Sequence, residues 1–262
     1  MPLTAYEQVK IARSNERPTS VSYIKACFDS FYPLAGDRRY GEDRAVIGGI
    51  ALMDGKPLTV IGLEKGTDTN DRISRNFGSA HPEGYRKALR LMKQAEKFGR
   101  PVVFLVDTSG AFCGIAAEER GQGQAIAENL TEMMTLKVPC LAILIGEGGS
   151  GGALALAVAD EVWMMENSVY SVISPEGCAS ILWKDPSRVE EAASSLKLTA
   201  DDLLGYKIID RIIRSGSEEG RKEDLSKAFV QLRAEIKDFI EKQEKLSPDE
   251  LISKRYARFR KY

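Results

Sequence analysis

The segment Gly146-Glu147-Gly148-Gly149-Ser150-Gly151-Gly152 packs five glycines into seven residues. Missing side chains permit positive φ and let a ligand come close to the backbone. The first N–H groups of a helix lack acceptors within it and carry positive potential. A glycine-rich turn leading into a helix can therefore stabilise an anion, or a carbonyl oxygen that is becoming negative. The plainer alternative is a tight strand–helix junction, but a junction rarely needs so many glycines. A second turn of this kind is Asp107-Thr108-Ser109-Gly110-Ala111-Phe112-Cys113-Gly114, which follows the apolar run VVFLV. If the two preceding segments are neighbouring parallel strands, both turns lie at the carboxyl edge of one sheet, where α/β folds bind ligands. Gly151 and Gly152, with Gly110 and Ala111, are then the expected backbone donors of one oxyanion site.

The side chains nearby admit rival chemistries. Gly148-Gly149-Ser150-Gly151-Gly152 also fits the G-x-S-x-G elbow of serine hydrolases. Its triad would need the single histidine, His81, and Asp107. Capping or packing before Pro82 accounts for His81, and a turn-capping role accounts for Asp107. A hydratase or isomerase would use Glu147 or Glu119 as acid and base; Glu118 and Glu119 equally suit the dipole of a helix first turn. No Lys-Ser/Thr follows the glycines, which excludes a P-loop. Cys113 reads as a buried, inert small residue.

The elements that must position these turns are legible as runs. AVIGGIALM and PLTVIGLE flank Asp54-Gly55, a hairpin signal. A helix is predicted from Tyr85, ended by Gly99 and Pro101. Strands are predicted at 102–106, 140–145, 162–165 and 169–173, and helices over Ala116–Leu136 and Gly152–Ala159. Strands that are apolar throughout belong to a parallel sheet covered on both faces, so the class is α/β. A polar arm or docking helix over residues 1–22 precedes a main domain over 23–216. A helical extension over 217–262 follows, set to pack on that domain or on a partner. In it Leu225, Phe229, Leu232, Ile236, Phe239 and Ile240 share one face, and Ser247-Pro248-Asp249-Glu250 opens a basic last helix.

Composition narrows the function classes. The chain has 262 residues, 43% hydrophobic and 29% charged, with 37 basic and 38 acidic side chains for a net charge of −1. Wholesale disorder and general attraction to nucleic acid or anionic membrane are excluded. A nucleic-acid contact through the basic end, KRYARFRKY, competes with a solvated last helix or a subunit contact. No apolar run reaches the ~18 residues that a membrane span needs. Cys27, Cys113, Cys140 and Cys178 form no short metal-type pair and no disulfide scaffold, which suits a reducing cytoplasm.

From Tyr23 to Ile213 the chain resembles the alpha-chain family of bacterial acetyl-coenzyme A carboxylase carboxyltransferase. The resemblance is carried by HPEGYRKALRLMKQAEKFGRPVVFLVDTSGAFCG, by KVPCLAILIGEGGSGGALALAVADEVW and most specifically by SVISPEGCASILWK (Ser171 to Lys184). It implies a crotonase-like fold of repeated β-β-α units with flanking amino- and carboxy-terminal helices. It implies transfer of a carboxyl group from carboxybiotin, on a separate biotin carboxyl carrier protein, to acetyl-CoA, giving malonyl-CoA for fatty acid synthesis. The implied assembly is an α2β2 heterotetramer, with biotin carboxylase in the wider complex, coenzyme A on the beta side and zinc on the beta chain. Biotin would lie against the alpha-chain turns, near Gly148, Gly149, Gly114 and Gly177. Another biotin-dependent acyl-CoA carboxylase or decarboxylase is the neighbouring alternative. The family commonly reads DTPGAYPG where this chain has DTSGAFCG, so Ser109 and Cys113 stand for prolines and that loop is less rigid.

Overall fold

The computed structural model describes residues 3–214 and 225–262. Eight strands form one sheet: β1 (Ser30–Pro33), β2 (Val46–Met53), β3 (Lys56–Leu63), β4 (Val102–Thr108), β5 (Cys140–Gly149), β6 (Glu161–Met165), β7 (Val169–Ser171) and β8 (Arg211–Ile213). The order is β1-β2-β3-β4-β5-β6-β8, with β7 pairing the far end of β5. The first three strands are antiparallel and the rest parallel. The β2–β3 hairpin turns at Asp54 and Gly55, whose φ values of 50° and 79° suit a two-residue turn.

Helices cover both faces: α1 (Ala5–Ala12), α2 (Ser20–Cys27), α3 (Thr69–Ser74), α4 (Pro82–Lys97), α5 (Ile115–Glu119), α6 (Gln122–Thr135), α7 (Ser150–Leu154), α8 (Pro175–Leu182), α9 (Val189–Leu196), α10 (Ala200–Gly205), α11 (Leu225–Gln243) and α12 (Pro248–Phe259). Alternation along the strands divides the core in two. Val102, Phe104 and Val106 of β4, with Cys140, Ala142 and Leu144 of β5, pack against Tyr85, Ala88, Leu91 and Met92 of α4 and Met133 of α6. Val103, Leu105, Leu141, Ile143 and Ile145 face the other way, onto Tyr23 and Ile24 of α2 and Leu232, Ile236 and Phe239 of α11. The apolar face of α11 is thus spent on this chain's own sheet. The expected start of the helical extension, near residue 217, lies outside the described residues.

Four expected elements differ, the simplest being the strand expected over 169–173, which ends at Ser171. The helix over Ala116–Leu136 is broken between α5 and α6 at Gly121, whose φ of 83° no helix accommodates. The helix expected over Gly152–Ala159 is the short α7, because its apolar remainder turns while staying buried. The strand expected over 140–145 runs on to Gly149, since β7 takes up pairing where β6 stops at Leu144.

Candidate active site

The site is built where β4 and β5 end side by side. Their register shifts between Val106 and Thr108, opposite Leu144 and Gly148. Asp107 sits at that irregularity, buried. Its Oδ1 accepts from the Glu147 N–H at 2.8 Å and lies 2.6 Å from the Lys65 Nζ. A Cβ on Gly146 would stand 2.7 Å from the Asp107 carboxyl carbon, so that glycine exists to admit the carboxylate. Asp107 therefore ties β4 to β5 and to the loop after β3; the bond within the turn belongs to Thr108, which corrects the expected turn-capping role of Asp107.

Beyond it the two turns press on each other. A Cβ on Gly149 would overlap the Ser109 carbonyl, and one on Gly152 would stand 2.7 Å from the Gly110 carbonyl carbon and 2.9 Å from the Tyr85 hydroxyl. Gly148 is buried within β5, with Leu144 and Tyr170 filling the space of its side chain. Gly151 differs: it is half-buried, and a Cβ there would meet only Ile126 Cγ2 at 3.8 Å. None of the five glycines has positive φ; Ser150 does, at 50°. Close approach of the β4 end at Gly146, Gly149 and Gly152, and of Leu144 and Tyr170 at Gly148, accounts for these glycines more than backbone freedom or ligand access does.

The opposing turn is locked by side chains. Thr108 Oγ1 accepts from the Gly110 N–H at 3.1 Å and donates to the Gly110 carbonyl at 2.8 Å. The Phe112 N–H donates to the Ala80 carbonyl, and Gln122 Nε2 donates to the Ala80 and Phe112 carbonyls. Gly110 is thereby removed from the free donors, and the Ala111 N–H remains, with no partner among the described residues. Gly110 keeps a backbone reason to be glycine, a φ of 151°. Gly114 begins α5 with the Phe112 ring against it. Tyr85 reaches under both turns from α4, its hydroxyl 3.4 Å from the Gly152 carbonyl, and burial pushes its phenol far up, so it stays neutral.

Glu147 is no free acid or base. Arg13, at the end of α1, donates to its Oε1 from Nε at 3.0 Å and Nη2 at 2.7 Å, and reaches Glu176 Oε1 from Nη1 at 2.8 Å. Burial pushes the Glu176 carboxyl up, and the hydrogen bond and charge of Arg13, with bonds from its own backbone and the Ser174 hydroxyl, together hold that group below the ordinary range. Gly177 sits beside Glu176 in the first turn of α8, where its N–H is taken by the Ser174 hydroxyl at 3.0 Å. Glu118 and Glu119 are exposed on α5.

The hydrolase arrangement does not assemble. His81 Nδ1 meets Asn76 Nδ2 at 3.0 Å, and its ring stacks on Phe112 with centroids 4.1 Å apart. Neither Ser150 nor Asp107 is among its partners. Cys113 corrects the expectation of a buried thiol: it lies in the loop just before the N-cap of α5 and is exposed. The basic end is also changed. Arg255 is fully buried, bound to Asp160 and to the Met133, Leu136 and Val138 carbonyls, and Arg258 pairs with Asp210. Both cations serve the chain's interior.

Beside Ser150 and Gly151 opens an apolar cleft of about 370 Å³, walled by Leu154, Tyr170, Val172, Leu203 and Ile208. Val172 is 79% exposed and Ile115 81%, with Ile181 and Leu182 exposed on α8. Sequence reasoning missed Arg13, Lys65 and Tyr85. Each reaches the site from a distant segment, and nothing in its local pattern separates it from an ordinary surface cation or core aromatic.

The fold and the paired turns define an α/β chain with two glycine turns brought together at one sheet edge. The structure resembles that of a Pseudomonas malonate decarboxylase hetero-tetramer in complex with coenzyme A, with a TM-score of 0.70 at 17% identity over 89% of this chain and 90% of that one. It also resembles transcarboxylase 12S, with a TM-score of 0.66 at 17% identity over 88% of this chain and 44% of that one. The fold is the crotonase-like one. The profile of the family described as acetyl co-enzyme A carboxylase carboxyltransferase-like matches residues 1–262. The acetyl-coenzyme A carboxylase carboxyl transferase subunit alpha of Ruminiclostridium cellulolyticum is 60% identical over 259 residues, covering 99% of this chain and 98% of that one. A protein of Natranaerobius thermophilus named as subunits beta/alpha is 53% identical over 258 residues, covering 98% of this chain and 42% of that longer one. The chain belongs to the acetyl-coenzyme A carboxylase carboxyltransferase family, as an alpha-type subunit. Among the described residues no helix is long and apolar enough to cross a membrane.

Proposed function

We propose that this chain forms the biotin-facing half of a carboxyltransferase site, which moves a carboxyl group from carboxybiotin on a biotin carboxyl carrier protein to acetyl-CoA, yielding malonyl-CoA. The observation that carries this reading is the convergence of the β4 and β5 turns at one sheet edge, with the Ala111 N–H unspent and the space at Gly151 open. When bound, biotin supplies the carboxyl group and, once relieved of it, a nitrogen that accepts the proton leaving the acetyl methyl. The N–H groups of Ala111, Gly151 and Gly152 donate to the carbonyl oxygen on which charge builds; one such donor is worth ~3 kcal/mol of barrier. Gly149 sets the distance between the turns, Gly148 admits Leu144 and Tyr170 behind them, and Gly114 and Gly177 start the helices that flank them. The apolar cleft beside Gly151 suits a hydrocarbon ring and chain.

The second oxyanion, on the acyl-CoA thioester, needs its own donors, and these belong to a beta chain in an α2β2 assembly. Exposed Ile115, Val172, Ile181 and Leu182 offer that partner an apolar surface around the turns. The fused beta/alpha relative fits such a pairing. Zinc is assigned to the beta chain, biotin carboxylase to the wider complex, and the whole to the cytoplasm. The test supplies the purified chain with malonyl-CoA and biotin and follows the reverse transfer. A requirement for beta chain in one-to-one ratio supports the divided site. Robust turnover by this chain alone overturns it.

A further inference from the structure

The β4 turn is gripped at both ends by one short loop, residues 76–81, which joins α3 to α4. At the near end Gly78 packs on Asp107: a Cβ there would stand 3.0 Å from the Asp107 carbonyl oxygen and 2.7 Å from Lys65 Cγ. At the far end the Ala80 carbonyl accepts from the Phe112 N–H at 3.0 Å and from Gln122 Nε2 at 2.8 Å. The next residue, His81, lays its ring on that of Phe112, with centroids 4.1 Å apart and planes 22° from parallel. Between the two grips lies the stretch that presents the unspent Ala111 N–H. Thr108 ties Gly110 from one side of that donor, and Phe112 is the tie on the other. Gly110 and Ala111 have no long side chain to anchor themselves.

The loop takes a costly path to do this. Asn76, Phe77 and Gly78 are all left-handed, with φ of 49°, 53° and 81°. Glycine enters that region freely and asparagine tolerates it, whereas phenylalanine does so only when the surrounding structure over-determines it. The Phe77 ring does not repay the strain by burial, since it is exposed. The path brings the Asn76 side chain against His81, where Nδ2 donates to the ring Nδ1 at 3.0 Å. The His81 N–H donates to Oδ2 of the buried Asp43 at 2.7 Å, and Oδ1 of the same carboxylate accepts from Ala45. Backbone and ring of His81 are thus both fixed from outside the turn. A ring whose plane is fixed fixes the ring stacked on it, because offset stacking favours a narrow set of geometries.

We propose that His81 is a positioning residue for carboxyl transfer, whose ring, oriented by Asn76, holds Phe112 and through it aims the neighbouring Ala111 N–H at the oxyanion. The role rests on the oxyanion reading of the two glycine turns. His81 touches neither substrate nor reacting atoms and moves no proton; it acts only through the stacked ring. Its effect therefore falls on the rate of the chemical step, where donor placement matters, and not on the capture of the acyl-CoA substrate.

The test follows reverse transfer from malonyl-CoA to biotin in the complex reconstituted with a beta chain, alongside the melting temperature of that complex. His81→Ala removes the stack. It should lower kcat about tenfold, short of the ~100-fold that a misplacement of 1 Å can cost. KM for malonyl-CoA should stay within about twofold of the wild type, because the lost interaction acts on the chemical step. His81→Phe keeps a stacked ring without the nitrogen and should recover most of the rate. Asn76→Gly keeps the left-handed backbone, removes the amide that orients the ring, and should lower kcat about threefold; it carries the test should His81→Ala fail to assemble. A purely structural role would instead lower rate and melting temperature together, with the rate per folded complex unchanged. That outcome overturns the proposal, as does a kcat for His81→Ala within about twofold of the wild type, or a His81→Phe no faster than His81→Ala. Gly151→Val separates the two ways of failing. If it transfers at the wild-type rate, the oxyanion reading falls and this role with it; if it loses transfer while His81→Ala does not, the positioning role alone falls.

Discussion

The two glycine turns look alike in sequence and do different work. At the end of β5, four of five glycines sit where a side chain would strike the protein itself, and the positive φ falls on Ser150. At the end of β4, Gly110 needs its backbone conformation, has open space where a side chain would go, and flanks the unspent Ala111 N–H. The β5 turn is thus a packed floor, and the β4 turn a wall locked by Thr108 and Gln122 with open space at Gly110. Glycine density therefore marks how closely two backbones approach, and only Gly151 of the β5 run marks room for a ligand.

Filling the floor should have the largest effect. Gly152→Val forces branched carbons into the Gly110–Ala111 backbone and the Tyr85 hydroxyl, at a cost of about 3 kcal/mol. Both the melting temperature and carboxyl transfer should collapse; a folded, inactive variant would contradict the packed floor. Gly151→Val is the contrasting change. Its side chain enters open space, so the melting curve of the αβ complex should hold while transfer falls by roughly a hundredfold or more, the scale of a lost oxyanion contact. Equal losses of stability in the two variants would erase the distinction between the glycines.

Arg13→Met should act less, and through the arm. It frees Glu147 and Glu176 and loosens the attachment of α1 to the β5 turn. The Glu176 carboxyl sits below its ordinary value of 4.5: burial pushes it up, and the hydrogen bond and charge of Arg13, with bonds from its own backbone and Ser174, together outweigh that. A carboxyl lowered on folding adds stability above its unfolded pKa and loses it as pH falls through the folded one. Melting temperatures followed below pH 4.5 should therefore drop more steeply for the wild type than for Arg13→Met. Parallel curves would place the stabilisation of the arm elsewhere.

The smallest effect belongs to Ser150. No side-chain partner holds its hydroxyl among the described residues, so Ser150→Ala should change transfer by no more than about threefold, well under 1 kcal/mol. Ser150→Gly should raise stability by ~0.5 to 1 kcal/mol, because glycine adopts the φ of 50° without strain. A thousandfold loss in Ser150→Ala, measured in the reconstituted complex, would return the serine to the chemistry.

How much of this was legible beforehand depends on distance along the chain. The wholly apolar runs VVFLV and CLAILI, the Asp54-Gly55 turn and the amphipathic run from Leu225 are local patterns, and each settled into the element it indicated. The break at Gly121 is hidden inside a helical pattern, because a helix tolerates glycine at a modest cost and Gly121 and Gly123 look alike there. The exposed Cys113 and the buried Arg255 were misread for a related reason. Burial belongs to the neighbours a residue meets, and Arg255 meets Asp160 across 95 positions.

By itself the sequence determined the α/β class, the placement of two glycine turns at strand ends and the carboxyltransferase kinship, because hydrophobic period and rare motif both live within short windows. The tertiary structure alone decided which glycines face protein and which face open space. It decided too that Asp107 serves Lys65 and the Glu147 backbone, that Arg13 grips Glu147, and that His81 stacks on Phe112. Those are pairings between segments brought together only by folding, and no local pattern encodes the partner that a side chain will find.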